Sequence, residues 1–189
     1  MIFILEGPNK TGKTTLAQYL MDNYGFAYFK DSVDLTKRIP ANERIDEMFT
    51  ILMSQAKLLV SISKACNLVV DRFHLTEEVY GFVDRGYRFD MNTYVEAVLL
   101  SARDDIKLVC LKPRRYQPGQ IICNNEDMYR KFKIEAMYQE VFNSSALKKE
   151  QVCIDDGPEY IMDVLQLNEE GKKLPPFKRG DPNGKVVVQ

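Results

Sequence analysis

Residues 7–15 read GPNKTGKTT and follow the apolar run MIFIL at residues 1–5. They match the pattern GxxxxGK[ST], in which glycines let the backbone fold around phosphate oxygens. The pattern is meaningful between a strand and a helix, and the sequence predicts both. MIFIL is typical of a short buried strand, and apolar residues at 16, 19 and 20 mark one face of a helix. In this context Lys13 can reach the β- and γ-phosphates of a nucleotide, and Thr14 can offer a hydroxyl to Mg²⁺.

The composition is that of one soluble globular domain. The chain has 189 residues, of which 45% are hydrophobic and 28% charged, with a formal net charge of −1. A charge near zero disfavours general binding to nucleic acid or to anionic membranes, so acidic ligands must meet local basic residues. No apolar run approaches the roughly 20 residues of a membrane span. The four cysteines show no CxxC spacing, which favours reduced thiols in a cytoplasm over disulfides or a metal site.

Short apolar runs alternate with helical patterns along the chain. The predicted strands are MIFIL (1–5), FAYF (26–29), NLVVD (67–71), KLVCL (107–111) and VCID (152–155). A long helix follows the N-cap residue Asn42, the helical segment 76–83 is interrupted by glycine, and a last helix runs from Pro158 to Gly171. This alternation predicts an α/β fold with a parallel sheet covered on both faces. Functional residues are then expected at the carboxyl ends of the strands.

The second motif is VVDRFH, which places Asp71 and Arg72 at the end of the third strand. Asp71 can orient Mg²⁺ or accept a hydrogen bond from a hydroxyl, and Arg72 can bind a second phosphate through two parallel hydrogen bonds. The alternative is a surface pair that caps the next helix. A GTPase would need an NKxD-like segment after strand four, where this chain has LKPRRY, so a kinase is favoured.

The basic segment at residues 112–125 contains Arg114, Arg115, prolines and a glycine, which favours a mobile lid over a solvated basic loop. Lys10 and the two lid arginines can add positive charge around a phosphoryl group in transfer. An acceptor hydroxyl would also need a base, for which Asp31 is the well-placed carboxylate, although a capping role is favoured. His74 either faces the acceptor or serves packing.

The segments FILEGPNKTGKTT, VVDRFHLTEEVYG, the basic loop and CIDDGP resemble the thymidylate kinase family of P-loop kinases, in the form often carried by bacterial viruses. The resemblance covers residues 1–170 and leaves 171–189 as a basic tail. It implies a P-loop three-layer α/β fold with five parallel strands in the order 2-3-1-4-5, a lid at about 112–125, ATP and Mg²⁺ as cofactors, and possible dimerisation through helices. The implied ATP-binding residues are Gly7, Asn9, Thr11, Gly12, Lys13, Thr14, Thr15 and Asp156. Thr14 and Asp71 are the implied metal ligands, Lys13, Lys10, Asp71, Arg114 and Arg115 the catalytic residues, and Arg72, Gln55, Phe73 and Tyr80 the acceptor-binding residues.

Three positions depart from the family pattern. Many thymidylate kinases have Asp at the position of Asn9, and one subgroup has Arg at the position of Lys10. Gln55 replaces an arginine of the middle helix and is similar to the base-reading glutamine of deoxynucleoside kinases. Its alternative is an ordinary solvated residue, and Phe73 and Tyr80 either stack on a base or belong to the core.

The sequence therefore predicts ATP-dependent phosphoryl transfer to a nucleoside monophosphate, with a pyrimidine such as dTMP or a modified dUMP as the leading acceptor. A deoxynucleoside kinase is the nearest alternative. A kinase acting on a modified base within DNA is disfavoured by the net charge, although the basic tail keeps it open. A nucleotide-binding regulator without transfer activity is disfavoured because a lid and an Asp-Arg pair serve chemistry.

Overall fold

A computed structural model describes residues 1–30, 39, 43–102, 104–112 and 125–167. The predicted base Asp31, the lid residues Arg114 and Arg115 and the basic tail lie outside these residues. The predictions for them therefore stay predictions.

Five parallel strands form a single sheet in the order β2-β3-β1-β4-β5, which confirms the predicted topology. Their bounds are β1 Ile2–Glu6, β2 Ala27–Lys30, β3 Leu68–Asp71, β4 Ile106–Lys112 and β5 Lys148–Cys153. In the central strand, Ile4 pairs with Val70 on one side and with Leu108 on the other. The order of strands reverses at β1, and a crevice opens beyond the carboxyl ends of the strands at such a point.

Helices cover both faces of the sheet. They are α1 Lys13–Tyr24, α2 Arg44–Ile62, α3 His74–Asp84, α4 Asn92–Ala102, α5 Asn125–Ser144 and α6 Pro158–Val164. Successive side chains of a strand point to opposite faces. Ile2 and Ile4 accordingly join a core with α2, α3, α4 and α5, whereas Phe3 and Leu5 join a core with α1 and α6. Among the described residues, no helix combines the length and apolar composition that crossing a bilayer requires.

Three predicted boundaries were wrong. β5 begins at Lys148, and residues 154 and 155, predicted as the end of this strand, belong to a 3₁₀ turn that spans Ile154–Asp156. The first residues of β5 are polar and partly exposed because an edge strand pairs on one side, so hydrophobicity alone missed them. Helix α3 continues through Gly81, where a glycine was expected to interrupt it. Helix α6 ends at Val164 rather than near Gly171, since Gln166 has a φ of 58°, which an α-helix does not allow.

Candidate active site

The loop between β1 and α1 contains two glycines, and at each of them a side chain would clash with a neighbouring part of the protein. Gly7 has a φ of 129°, and a Cβ there would lie 2.4 Å from the carbonyl oxygen of Leu111 in β4. Gly12 has a φ of 93°, and a Cβ there would lie 2.8 Å from Cγ1 of Ile154 in the turn after β5. The glycines of the motif therefore allow the loop to pack against β4 and this turn while it leads into the N-terminus of α1. A helix N-terminus approached by a glycine-rich loop favours anion binding.

Lys13 is held inside the curve of this loop. Its side chain is 5% exposed, and Nζ donates to the carbonyl oxygens of Gly7 and Pro8 at 2.9 and 2.5 Å. Nζ also donates to Oγ1 of Thr11 at 3.2 Å. Burial, followed by the charge of Arg72, lowers the pKa of Lys13 to about 8, while Glu6 and Asp71 act in the opposite direction. Phosphate oxygens would be stronger acceptors for this poorly solvated ammonium group than the neutral oxygens of the loop.

Asp71 lies at the end of β3 and is 3% exposed. Its Oδ2 accepts hydrogen bonds from Oγ1 of Thr14 at 2.7 Å and from the hydroxyl of Tyr28 at 3.0 Å. Burial, followed by the charge of Asp71, raises the pKa of Tyr28 to about 12, so this hydroxyl remains a donor. Tyr28 was not predicted as a site residue.

The oxygen atoms of Thr14 and Asp71 fit the Mg²⁺ that the sequence resemblance implies. Mg²⁺ prefers hard oxygen ligands, keeps several waters and needs only one or two protein carboxylates beside substrate phosphates. Across the described parts of the chain, no group of three or more His, Cys, Asp or Glu side chains could hold a metal. The Thr14–Asp71 pair is the arrangement that suits a metal shared with a nucleotide.

Arg72 follows β3 and is fixed by the phosphate-binding loop on one side and an aromatic ring on the other. Its guanidinium donates to Oδ1 of Asn9 and lies 5.4 Å from the ring centroid of Tyr80. Its backbone has a φ of 74°, a left-handed conformation that is uncommon for a residue with a side chain. Arg72 is therefore oriented by contacts that surround it.

These groups meet in a cavity of about 380 Å³. Four of its lining residues are cationic and one is a carboxylate, so the cavity favours a ligand with several negative charges. The lining residues are Asn9, Lys10, Gly12, Lys13, Thr14, Thr15, Lys30, Asp71 and Arg72. The structure thus places most of the predicted residues of the phosphate-binding loop in one cavity with Asp71 and Arg72. Lys30 was assigned no role but ends β2, where the sequence analysis expected functional residues, and in the structure it pairs in register with Asp71.

Two residues that were considered for acceptor contact belong to the core. Phe73 has no exposed surface, and its ring packs edge-on against that of His74 with 5.1 Å between centroids. His74 is equally buried, and its Nε2 is 3.0 Å from Oε1 of Glu96. This burial supports the packing alternative for both residues.

Gln55, Tyr80 and Asp156 lie outside the cavity lining. The Oε1 atom of Gln55 is buried, and the described residues supply no hydrogen-bond partner to it, while the ring of Tyr80 lies beside Arg72. The carboxylate of Asp156 accepts a hydrogen bond from the backbone N–H of Cys153 at 3.1 Å, inside the turn that packs against Gly12. The roles predicted for these three residues stay predictions.

Glu6 lies beside the site without lining its cavity, and the sequence analysis assigned it no role. It is the last residue of β1 and has no exposed surface. Its Oε1 accepts hydrogen bonds from the backbone N–H groups of Phe73 and Thr76, at 2.8 and 3.3 Å, and its Oε2 accepts one from Oγ1 of Thr76 at 2.5 Å. Glu6 thus satisfies donors at the N-terminus of α3, as a capping carboxylate does. A charged residue that ends a fully apolar strand was the signal that could have identified it.

Comparison with known proteins shows the fold of the chain. No protein-family model matches the chain, and no curated protein matches its sequence.

The YorR protein of Bacillus subtilis, solved in complex with phosphorylated GDP, is 20% identical and has a TM-score of 0.62, with 90% of this chain and 96% of that chain covered. Thymidylate kinase from Ehrlichia chaffeensis is 16% identical and has a TM-score of 0.56, with 88% and 98% covered. Deoxyadenosine kinase from M. mycoides with bound dATP is 17% identical and has a TM-score of 0.55, with 88% and 100% covered. Together with the strand order and the loop geometry, these similarities show that the chain has the fold of the thymidylate kinase-like nucleotide kinases.

Proposed function

We propose that this protein transfers the γ-phosphoryl group of ATP to a nucleoside or deoxynucleoside monophosphate in a Mg²⁺-dependent reaction, with a pyrimidine such as dTMP or a modified dUMP as the leading acceptor. The observation that carries the proposal is that one cavity contains both Lys13 of the phosphate-binding loop and Arg72 at the end of β3. A donor with three phosphates and an acceptor with one would each find a cationic partner there.

The donor side of the proposal rests on the loop. Its backbone N–H groups and Lys13 would hold the β- and γ-phosphates, and Lys10 adds a second cation at the cavity wall. Thr14 and Asp71 would hold Mg²⁺, which supplies charge neutralisation at the phosphates. In the reaction, the bond between the γ-phosphorus and its bridging oxygen breaks, and a new bond forms to an oxygen of the acceptor phosphate. ADP and a nucleoside diphosphate are the products.

The acceptor side rests on Arg72. A monophosphate oxygen already carries negative charge and needs no base to attack, so orientation and charge are sufficient. Asn9 and the ring of Tyr80 restrain the guanidinium, which reduces the entropy lost when it binds a phosphate. This preorganisation favours a monophosphate over a neutral nucleoside.

Gln55 supports recognition of a base, whereas the pyrimidine preference rests on the resemblance to thymidylate kinases. The amide group of Gln55 resembles the base-reading glutamine of deoxynucleoside kinases, and its buried Oε1 would accept a hydrogen bond from an N–H group of a base. The same observation supports the second candidate function, a deoxynucleoside kinase, which would need a carboxylate base for the 5′-hydroxyl. The two candidates differ in whether the best acceptor carries a phosphate.

A panel of deoxynucleosides and their monophosphates, incubated with ATP and Mg²⁺ and followed by separation of the products, tests the proposal. We expect transfer to a pyrimidine monophosphate to exceed transfer to the matching nucleoside. Lys13→Ala should abolish transfer with every acceptor while the protein remains folded, because Lys13 acts on phosphate charge. Faster transfer to a nucleoside would favour the second candidate, and full turnover by Lys13→Ala would contradict the assignment of the loop.

A further inference from the structure

Glu6 contacts the chain on the far side of Arg72, at the start of α3. Its three hydrogen bonds all come from Phe73 and Thr76, and the hydroxyl of Thr76 also lies 2.9 Å from the hydroxyl of Tyr138. None of these groups lines the cavity. The carboxylate is therefore committed to protein donors rather than to ligand contact.

The end of β1 forms hydrogen bonds with the backbone N–H groups of Arg72 and of the residue that follows it. The N–H of Arg72 donates to the carbonyl oxygen of Leu5 at 2.9 Å, and the next N–H along the chain, that of Phe73, donates to Oε1 of Glu6 at 2.8 Å. Between these two bonds Arg72 adopts its φ of 74°. A side-chain-bearing residue holds this conformation when its surroundings impose it, and β1 supplies the two bonds that do so.

We infer that Glu6 is a positioning residue for Arg72: its carboxylate holds the Phe73 and Thr76 amides so that the Arg72 guanidinium faces the cavity. The inference rests on the proposed function in assigning the acceptor phosphate as the ligand of Arg72. The carboxylate acts through hydrogen-bond acceptance and takes no proton from the acceptor. A positioning role and a role as base predict opposite results for Glu6→Gln. A glutamine can still accept hydrogen bonds, but it cannot take up a proton.

Glu6→Gln and Glu6→Ala separate the two roles. The amide oxygen of a glutamine can accept from both backbone N–H groups, and its NH₂ can donate to Oγ1 of Thr76, which then donates to Tyr138. Glu6→Gln should keep kcat and the acceptor KM within about threefold of wild type. Glu6→Ala should lower kcat/KM for the monophosphate about a hundredfold, the scale of a misplaced substrate contact, while KM for ATP changes little. The matched control is Ile161→Ala in α6, which removes buried volume from the other core without touching Arg72.

A second readout follows Arg72 itself. In NMR spectra, the Phe73 amide proton shift and the coupling between the amide and α protons of Arg72 report the hydrogen bond and φ. Both should persist in Glu6→Gln and change in Glu6→Ala. The inference is overturned if Arg72 keeps its φ in Glu6→Ala. It is also overturned if kcat of Glu6→Gln falls more than about a hundredfold while its spectra are unchanged, because Glu6 would then take part in the chemistry. If the wild type uses no monophosphate, the proposed function fails, and the spectra still decide whether Glu6 positions Arg72.

Discussion

Thr14 donates a hydrogen bond from Oγ1 to Oδ2 of Asp71 across 2.7 Å, which joins the first turn of α1 to the end of β3. The same carboxylate oxygen accepts a hydrogen bond from Tyr28 of β2. Two motifs that are far apart in sequence are thereby placed at one point of the cavity, together with a tyrosine that belongs to neither motif. The arrangement leads to predictions about metal use, and the rest of the cavity leads to others.

We predict that Asp71→Asn and Tyr28→Phe both weaken Mg²⁺ binding by the enzyme, to different extents. Loss of the carboxylate should raise the Mg²⁺ concentration needed for half-maximal rate more than a hundredfold, and loss of the supporting hydroxyl should raise it about tenfold. Titration of Mg²⁺ at fixed ATP measures this, and Mn²⁺ binding to the enzyme–ADP complex provides a readout independent of turnover. Tyr19→Phe in α1, whose ring packs near Tyr24, is the control. Equal effects of the Tyr28 and Tyr19 variants would contradict a role for Tyr28.

The pKa of Lys13 predicts how ATP use depends on pH. With a pKa of about 8, the free enzyme loses the ammonium charge as pH rises through 8. Hence kcat/KM for ATP should be constant below this pH and fall about tenfold per unit above it. Bound phosphates favour the protonated lysine, so kcat should decline only at higher pH. In Lys13→Arg the group stays charged, and the fall near pH 8 should vanish even if the overall rate is lower. Tyr28 and Cys110 titrate near 12 and do not interfere.

The role of Arg72 is tested by two acceptors and two substitutions. Arg72→Ala should lower kcat/KM for the monophosphate more than roughly a hundredfold, because a charge-assisted bidentate contact in a dry cleft is lost, while ATP binding is largely kept. Arg72→Lys should recover part of the loss because a lysine lacks the planar fork. The control is Arg130→Ala, since Arg130 forms two hydrogen bonds with Asp84 on the surface and does not line the cavity. An equal loss with nucleoside and monophosphate would show that Arg72 does not bind an acceptor phosphate.

Glu6→Gln should lower the stability of the protein by an amount that Tyr138→Phe does not restore. Burial, followed by the charge of Glu6, raises the pKa of Tyr138 well above its usual value, so its hydroxyl keeps its proton. In Glu6→Gln the hydroxyl of Thr76 must donate to Tyr138, which leaves the Tyr138 proton without its acceptor and costs about 1–3 kcal/mol. Adding Tyr138→Phe removes that proton and also the oxygen to which Thr76 donates, so the double variant has one unpaired buried donor, the same number as Glu6→Gln alone. The free energy of unfolding of the double variant should therefore match the additive expectation, measured by urea unfolding of all four proteins. A stability about 1 kcal/mol above the additive expectation would contradict this hydrogen-bond assignment.

Arg114 and Arg115 remain predicted lid cations. Their substitution by alanine, singly and together, should lower kcat more than it raises KM for ATP, since their contact with the moving phosphoryl group should be strongest in the transition state. Steady-state kinetics with saturating acceptor measures both constants. A change confined to KM would mean that the arginines bind the ground state or lie away from the reaction.

The sequence by itself determined the succession of strands and helices and the phosphate-binding loop, whereas the strand order followed from the family resemblance. Apolar runs at strand length, separated by helical periodicity, are local patterns, and the GxxxxGK[ST] spacing encodes a backbone shape within nine residues. Asp71 and Arg72 were predictable as well, because the carboxyl ends of parallel strands converge at one edge of the sheet. The predicted boundaries were less accurate where an edge strand carries polar residues, as at the start of β5.

Tertiary structure decided which side chains serve the cavity and which serve the core. Phe73 and His74 adjoin Arg72 in sequence yet are fully buried, whereas Lys30 lines the cavity from another strand. The partners of Glu6 lie 67 and 70 residues away. Such contacts depend on strand register and on the direction in which α3 leaves the sheet, and neither is encoded in the spacing of neighbouring residues. The physical reason is that a hydrogen bond requires two atoms about 3 Å apart, and for distant residues this proximity exists only once the chain has folded.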